Sequence, residues 1–180
     1  MACITRGRTR LLMIALLVFG TVSSPAFALN CVQYVRKVSG MDISGNGWQW
    51  WENASGVYER GHTPKENAIM VFDHTPSMEH GHVAIVSKIL NSRLITVNHA
   101  NWAHLRSLKG HVNTGVMVQD VSDRNDWSSV RVMDQGTQSY GRENPVLGFV
   151  YNKPGQGAMV ADNLNLDDDA PTSIKDVDNE

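Results

Sequence analysis

The stretch His82–Ala100, HVAIVSKILNSRLITVNHA, decides the fold. Its two halves, HVAIVSKIL and LITVNHA, are rich in β-branched residues, and Asn91–Arg93 between them supplies the polar break of a tight turn. Two such runs joined so closely pair antiparallel, which carries the start of one toward the end of the other. His82 and His99 are therefore expected to be near neighbours. Alternation along the second run, continued past Ala100, puts Asn101 on the same face as His99.

Runs of the same character lie on either side. AIMVF begins at Ala68, TGVMVQDV at Thr114, SSVRVMD at Ser128 and PVLGFVY at Pro145, with Gly, Asn, Asp and Pro clusters between them. Upstream the spacing turns helical. In CVQYVRKVS, Cys31–Ser39, the residues Val32, Val35 and Val38 follow a helical period, Asn30 stands at the N-cap position and Gly40 at the stop. A second helix is expected over WQWWENASGVYERG, closed by Gly61. Helices followed by an antiparallel meander predict an α+β domain.

The ends of the chain differ from its middle. Arg6, Arg8 and Arg10, then the apolar LLMIALLVF, then SSPAFA ending at Ala28, have the three zones of a secretory signal, so residues 1–28 are expected to be removed and the protein exported to the periplasm or secreted. The apolar zone is too short to span a bilayer. Cys31 would become the third residue of the mature chain. A lipoprotein signal carries Gly or Ala directly before its cysteine, and Asn30 stands there instead, so no stable membrane anchor is expected. Cys3 leaves with the signal, and the single remaining thiol has no internal disulfide partner.

Losing the three signal arginines deepens the formal net charge of −2. The surplus of acid lies in residues 153–180, KPGQGAMVADNLNLDDDAPTSIKDVDNE, with seven acids against two lysines and few apolar residues, a composition expected to stay disordered. Between Leu29 and Asn152 the count is 11 basic against 11 acidic, with no basic footprint for nucleic acid. That segment, 29–152, is long enough for one compact domain.

Three elements could carry chemistry: Cys31 opening a helix, GHVAIV at Gly81–Val86 opening a strand, and ITVNHANW at Ile95–Trp102 on the next strand. Amide hydrolysis by cysteine needs such a set. The thiolate is the attacking species, and a helix N-terminus with a neighbouring imidazolium lowers the thiol pKa. His82 would be the base, with His99 or Asn101 fixing its tautomer. Taken singly, a helical cysteine is more often a small buried hydrophobe and a strand histidine a satisfied structural one. His80, His82 and His99 could alternatively hold a metal, since His-x-His plus a distant histidine makes an open site. His62, His74, His104 and His111 read as loop residues. Trp48, Trp50 and Trp51 read as packing for at least two of the three. Trp102 is a wall of the site or a ligand contact, and Tyr34, one turn from Cys31, lines the site or packs.

The segments CVQYVR, GWQWW, GHVAIVSKI, ITVNHANW, RNDWSSVRV and NPVLGFVY, in that order, resemble the CHAP domain, the cysteine- and histidine-dependent amidohydrolases/peptidases of bacterial cell-wall turnover within the papain-like superfamily. The resemblance covers nearly all of Leu29–Tyr151. It implies a papain-like α+β fold, with N-terminal helices packed on an antiparallel sheet and the nucleophile on one of them. It also implies Cys31 as nucleophile, His82 as general base, and His99 where many members carry glutamate in E-x-N-W, with Asn101 keeping the asparagine. The implied activity is cysteine amidase or endopeptidase action on peptidoglycan peptides through a thioester, with no metal or cofactor. Two other classes stand beside it: a catalytically idle wall-binding module, and a periplasmic histidine-based metal-binding protein.

Overall fold

The computed structural model describes residues 29–102 and 110–153. The expected signal segment, and all of the expected acidic tail except Lys153, lie outside the described residues.

Helix α1 runs Cys31–Ser39. Asn30 and Gln33 form a reciprocal capping box, in which Asn30 Oδ1 accepts from Gln33 N at 2.8 Å and Gln33 Oε1 accepts from Asn30 N at 3.2 Å. Gly40 closes the helix at φ +68° and donates its N–H back to the Arg36 carbonyl. The second expected helix is much shorter. A 3₁₀ turn at Gly47–Gln49 runs into α2, Trp50–Asn53, and Gly56 at φ +74° follows in the turn beyond. Arg60–Gly61, read as the end of that helix, is instead strand β1, paired with Val150 and Phe149. The tertiary pull of a sheet edge on this polar segment outweighs its weak helical periodicity.

The other strands are β2 (Ile69–Phe72), β3 (His82–Asn91), β4 (Leu94–Ala100), β5 (Val112–Asp120), β6 (Ser129–Asp134) and β7 (Ser139–Val150). Each pairs antiparallel with the next, and β7 then returns to β2. Its length makes this possible. Residues Ser139–Pro145 pair with β6, while Val146–Val150 pair with β2, so one twelve-residue strand closes six strands into a barrel-like ring. The mostly antiparallel sheet with short N-terminal helices is an α+β arrangement. β7 begins six residues before the expected PVLGFVY run because SYGREN, though polar, completes the ring.

Alternation divides the buried side chains into two layers. Met70, Phe72, Ala84, Val86, Ile95, Val97, Val118, Val132 and Phe149 fill the ring. Ile69, Val71, Val83, Ile85 and Val150 face the other way and pack against Tyr34 and Val35 of α1, Met41, Ile43 and Trp50. Burying each such side chain stabilises by about 1.5–3 kcal/mol.

At Gly148, φ is +143°, and an added Cβ would lie 2.6 Å from the Trp51 ring and 2.7 Å from the Gly61 carbonyl oxygen. This glycine lets β1 and Trp51 close over β7. Gly148→Ala is expected to destabilise the fold by about 2 kcal/mol or more, read from the urea midpoint; an unchanged midpoint would contradict this packing.

Candidate active site

β3 and β4 meet as their turn dictates, with Ile85 opposite Asn98 and Val86 opposite Val97. His82 shares the inward row of Ala84 and Val86, and His99 that of Ile95 and Val97, so both imidazoles enter the mouth of the ring. Their nitrogens meet: His82 Nε2 lies 3.1 Å from His99 Nδ1. Both rings are buried, at 4% and 1% exposure. Phe72 and Trp102 complete an aromatic cage. The His82 ring centroid lies 5.7 Å from Phe72 and 4.7 Å from Trp102, and Trp102 stacks on His99 at 5.4 Å.

Among the described residues no carboxylate acts on either ring. Burial holds the His82 pKa well below 6.5, with the His99 charge adding to the effect, and burial lowers His99 to about 4. At neutral pH both rings are uncharged. One of them then donates the shared hydrogen bond, and His82 Nδ1 is the ring nitrogen left over.

Cys31 is the first residue of α1 and is half-buried. The backbone N–H groups of Val83, Val32 and Cys31 itself favour its thiolate, yet burial outweighs them and raises its pKa above 9.0. This corrects the expectation of a thiol pKa lowered by the helix start and an imidazolium: the neighbouring imidazole is neutral, and desolvation dominates. Val83 directly follows His82, so the same strand start presents an N–H to the sulfur and the imidazole to the ring mouth. Cys31, His82, Asn101 and Trp102 all line one cleft of about 760 Å³.

Two glycines set this strand start in place, and neither stood out in the sequence. A Cβ on Gly47 would lie 2.8 Å from His82 N, 2.9 Å from its Cα and 3.0 Å from its C. Gly81, at φ +60°, leaves no room for a side chain between Trp48 and the Phe72 carbonyl. Trp48 N donates to the His80 carbonyl across the same contact.

Asn101 departs from the expected alternation with His99. β4 ends at Ala100, and Asn101 takes φ +63°. Its N–H donates to the His111 carbonyl at 3.0 Å, and its Oδ1 accepts from Gly110 N at 3.1 Å. The side chain joins the two ends of the 102–110 connection, whereas His99 meets His82. Tyr34, by contrast, does not line the cleft. It is 3% exposed within the layer between α1 and the sheet, where its ring adds to the apolar face of the helix. Trp50 is wholly buried, Trp51 lies under Arg60 at 4.7 Å, and Trp48 packs beside His74 at 5.1 Å. His80 is exposed, apart from the buried pair, and among the described residues no three His, Cys, Asp or Glu side chains gather to hold a metal.

Residues 21–101 match the CHAP domain family. That segment is similar to a CHAP domain. The match includes Cys31, His82 and His99 and ends on Asn101. A solved N-acetylmuramoyl-L-alanine amidase from Staphylococcus aureus is 19% identical over 70% of this chain and 33% of that one, with a TM-score of 0.39, so this chain spans about a third of its length. No curated protein matches the chain.

The two buried histidines couple the stability of the fold to pH. Both bind a proton less readily folded than unfolded, so stability is fully present above the ordinary value of 6.5 and declines as pH falls through it toward 4. Urea denaturation across that window is expected to show the decline, and His99→Asn, which removes one titrating ring, is expected to flatten it. A pH-independent midpoint between 6.5 and 4 would contradict the burial of neutral rings.

Proposed function

We propose that the protein is an exported cysteine amidase or endopeptidase that hydrolyses an amide bond in peptidoglycan peptides, on a papain-like fold. The observation that carries the reading is the 3.1 Å His82–His99 contact at the mouth of the cleft that Cys31 opens onto. The match of residues 21–101 to the CHAP family supports a hydrolase acting on peptidoglycan. The signal-like residues 1–28 support export, and residues 29–152 are the catalytic unit in this reading.

The neutral resting pair defines the steps. His82 Nε2–H donates to His99 Nδ1, which leaves His82 Nδ1 bare to take the Cys31 thiol proton as the sulfur attacks the amide carbonyl. The proton moves in concert with attack, because neither group is charged beforehand. The backbone N–H groups of Cys31 and Val32 at the helix start stabilise the oxyanion. The His82 imidazolium then protonates the departing amine, and water activated by the neutral ring cleaves the thioester and regenerates the thiol. His99 orients the base by accepting its N–H, and Trp102 keeps bulk water from both rings. Asn101 holds Trp102 in place through its bonds to Gly110 and His111.

Turnover of purified peptidoglycan, followed by release of new amino groups, tests this reading. Cys31→Ala and His82→Ala are each expected to lose at least about a thousandfold, with no effect of chelator on the unaltered protein. Full activity in Cys31→Ala would sink the cysteine mechanism, and loss on chelation alone would favour a metal.

A further inference from the structure

Six arginines fall among the described residues, and their partners divide them into two sets. Arg60 pairs with Glu52 at 3.7 Å, Arg93 with Asp120 at 3.8 Å, Arg124 with Asp126 at 2.9 Å and Arg131 with Glu143 at 2.9 Å. Arg36 and Arg142 have no ion pair among the described residues. Those two are also the arginines that line the cleft with Cys31 and His82.

Each reaches the cleft for a structural reason. Arg142 lies on β7 in the row of Asn144 and Val146, the row that enters the ring, so it extends that row to the rim beside Trp102. Its neighbour Glu143 faces the opposite way and is held by Arg131. Asp134, which lines the small hollow beside Arg142, accepts at Oδ1 from the N–H groups of Gly136 and Thr137 and from the Thr137 hydroxyl. The Arg142 side chain is exposed and makes no hydrogen bond to another side chain among the described residues, which leaves its planar donors available. Arg36 enters from α1, in the stripe of Asn30 and Gln33 that faces the cleft. One of its terminal nitrogens donates to the Ile43 carbonyl, while its Nε is buried without a partner. A partly buried guanidinium with no counter-charge is costly, and an arriving anion relieves that cost. Against these two cations the described residues of the cleft lining offer one acid, the exposed Glu79.

We propose that the cleft is a carboxylate-recognition site: Arg142 binds a free carboxylate of the peptide beside the scissile amide, and Arg36 supplies a fixed positive field behind the nucleophile. This deepens the hydrolase reading and rests on it for the identity of the substrate. A planar guanidinium takes a carboxylate through two parallel hydrogen bonds, so the site discriminates a free acid from its carboxamide, which cannot accept both. The selected substrate is an anionic peptide, and the acid surplus of the chain elsewhere does not extend into the site that receives it.

The test uses the full mature protein carrying Cys31→Ala, so that binding is read apart from turnover. Two probes are titrated by calorimetry: a purified peptidoglycan peptide fragment with free carboxylates, and the same fragment with those groups converted to carboxamides. The acid is expected to bind at least about tenfold more tightly. Adding Arg142→Gln is expected to abolish that preference, Arg142→Lys to restore part of it, and the ion-paired Arg124→Gln to leave it intact. Equal binding of the two fragments, or no binding of either, would overturn the proposal. The chain with Cys31 intact is assayed on both fragments in parallel. Turnover without acid preference sinks the carboxylate site and leaves the hydrolase reading standing. Acid-dependent binding without turnover sinks the hydrolase reading and leaves the carboxylate site.

Discussion

Two buried imidazoles 3.1 Å apart, walled by Phe72 and Trp102, share one hydrogen bond and hold no charge at neutral pH. Every other feature of the site follows from keeping that pair dry and aligned. A carboxylate in place of His99 would favour a charged partner ring. A second histidine does the reverse, since two imidazolium groups in one apolar cage repel each other and neither is solvated. The pair accordingly resists protonation at neutral pH, and a proton passed to it there leaves again readily. The Cys31 thiol matches this state. Burial holds it protonated against three backbone N–H groups that favour the thiolate, so nucleophile and base rest as neutral partners.

The barrel-like ring makes this alignment rigid. β3 and β4 deliver the histidines from adjacent strands, and β7 closes the sheet so that the ring mouth has a fixed shape. Outside it, α1 packs on Val83 and Ile85, the outward neighbours of His82 and Ala84, which brings the helix start to the strand start. Gly47 and Gly81 remove the side chains that would hold those segments apart. The thiol and the imidazole thus approach from opposite layers of one strand, and a displacement of either layer would separate them.

Much of this was legible in the sequence because it is local. The β-branched runs, the Asn91–Arg93 turn and the Asn30 and Gly40 caps each act within a few residues, and the hairpin geometry alone brings His82 to His99. What depends on distant contacts was not legible. The segment after Trp50 leaves its helical pattern because β7 offers it an edge, and SYGREN becomes strand because a ring needs closing. Asn101 leaves the alternation because Gly110 and His111 claim its polar groups. The thiol pKa departs from its expected direction for a related reason: capping and dipole effects are read from neighbours, but desolvation is set by what packs from afar. The pairing of Arg60, Arg93, Arg124 and Arg131, against Arg36 and Arg142, which have no ion pair among the described residues, is likewise visible only once the chain is folded.

The central claim is that His82 rests neutral with its proton on Nε2, given to His99, and with Nδ1 bare. Long-range ¹⁵N–¹H NMR of the imidazole rings at neutral pH reads this directly, because protonated and bare ring nitrogens resonate far apart. His82 is expected to carry one protonated nitrogen, Nε2, and His99 a bare Nδ1 that accepts from it. A His82 ring carrying protons on both nitrogens beside a Cys31 thiolate, or carrying its one proton on Nδ1, would contradict that claim.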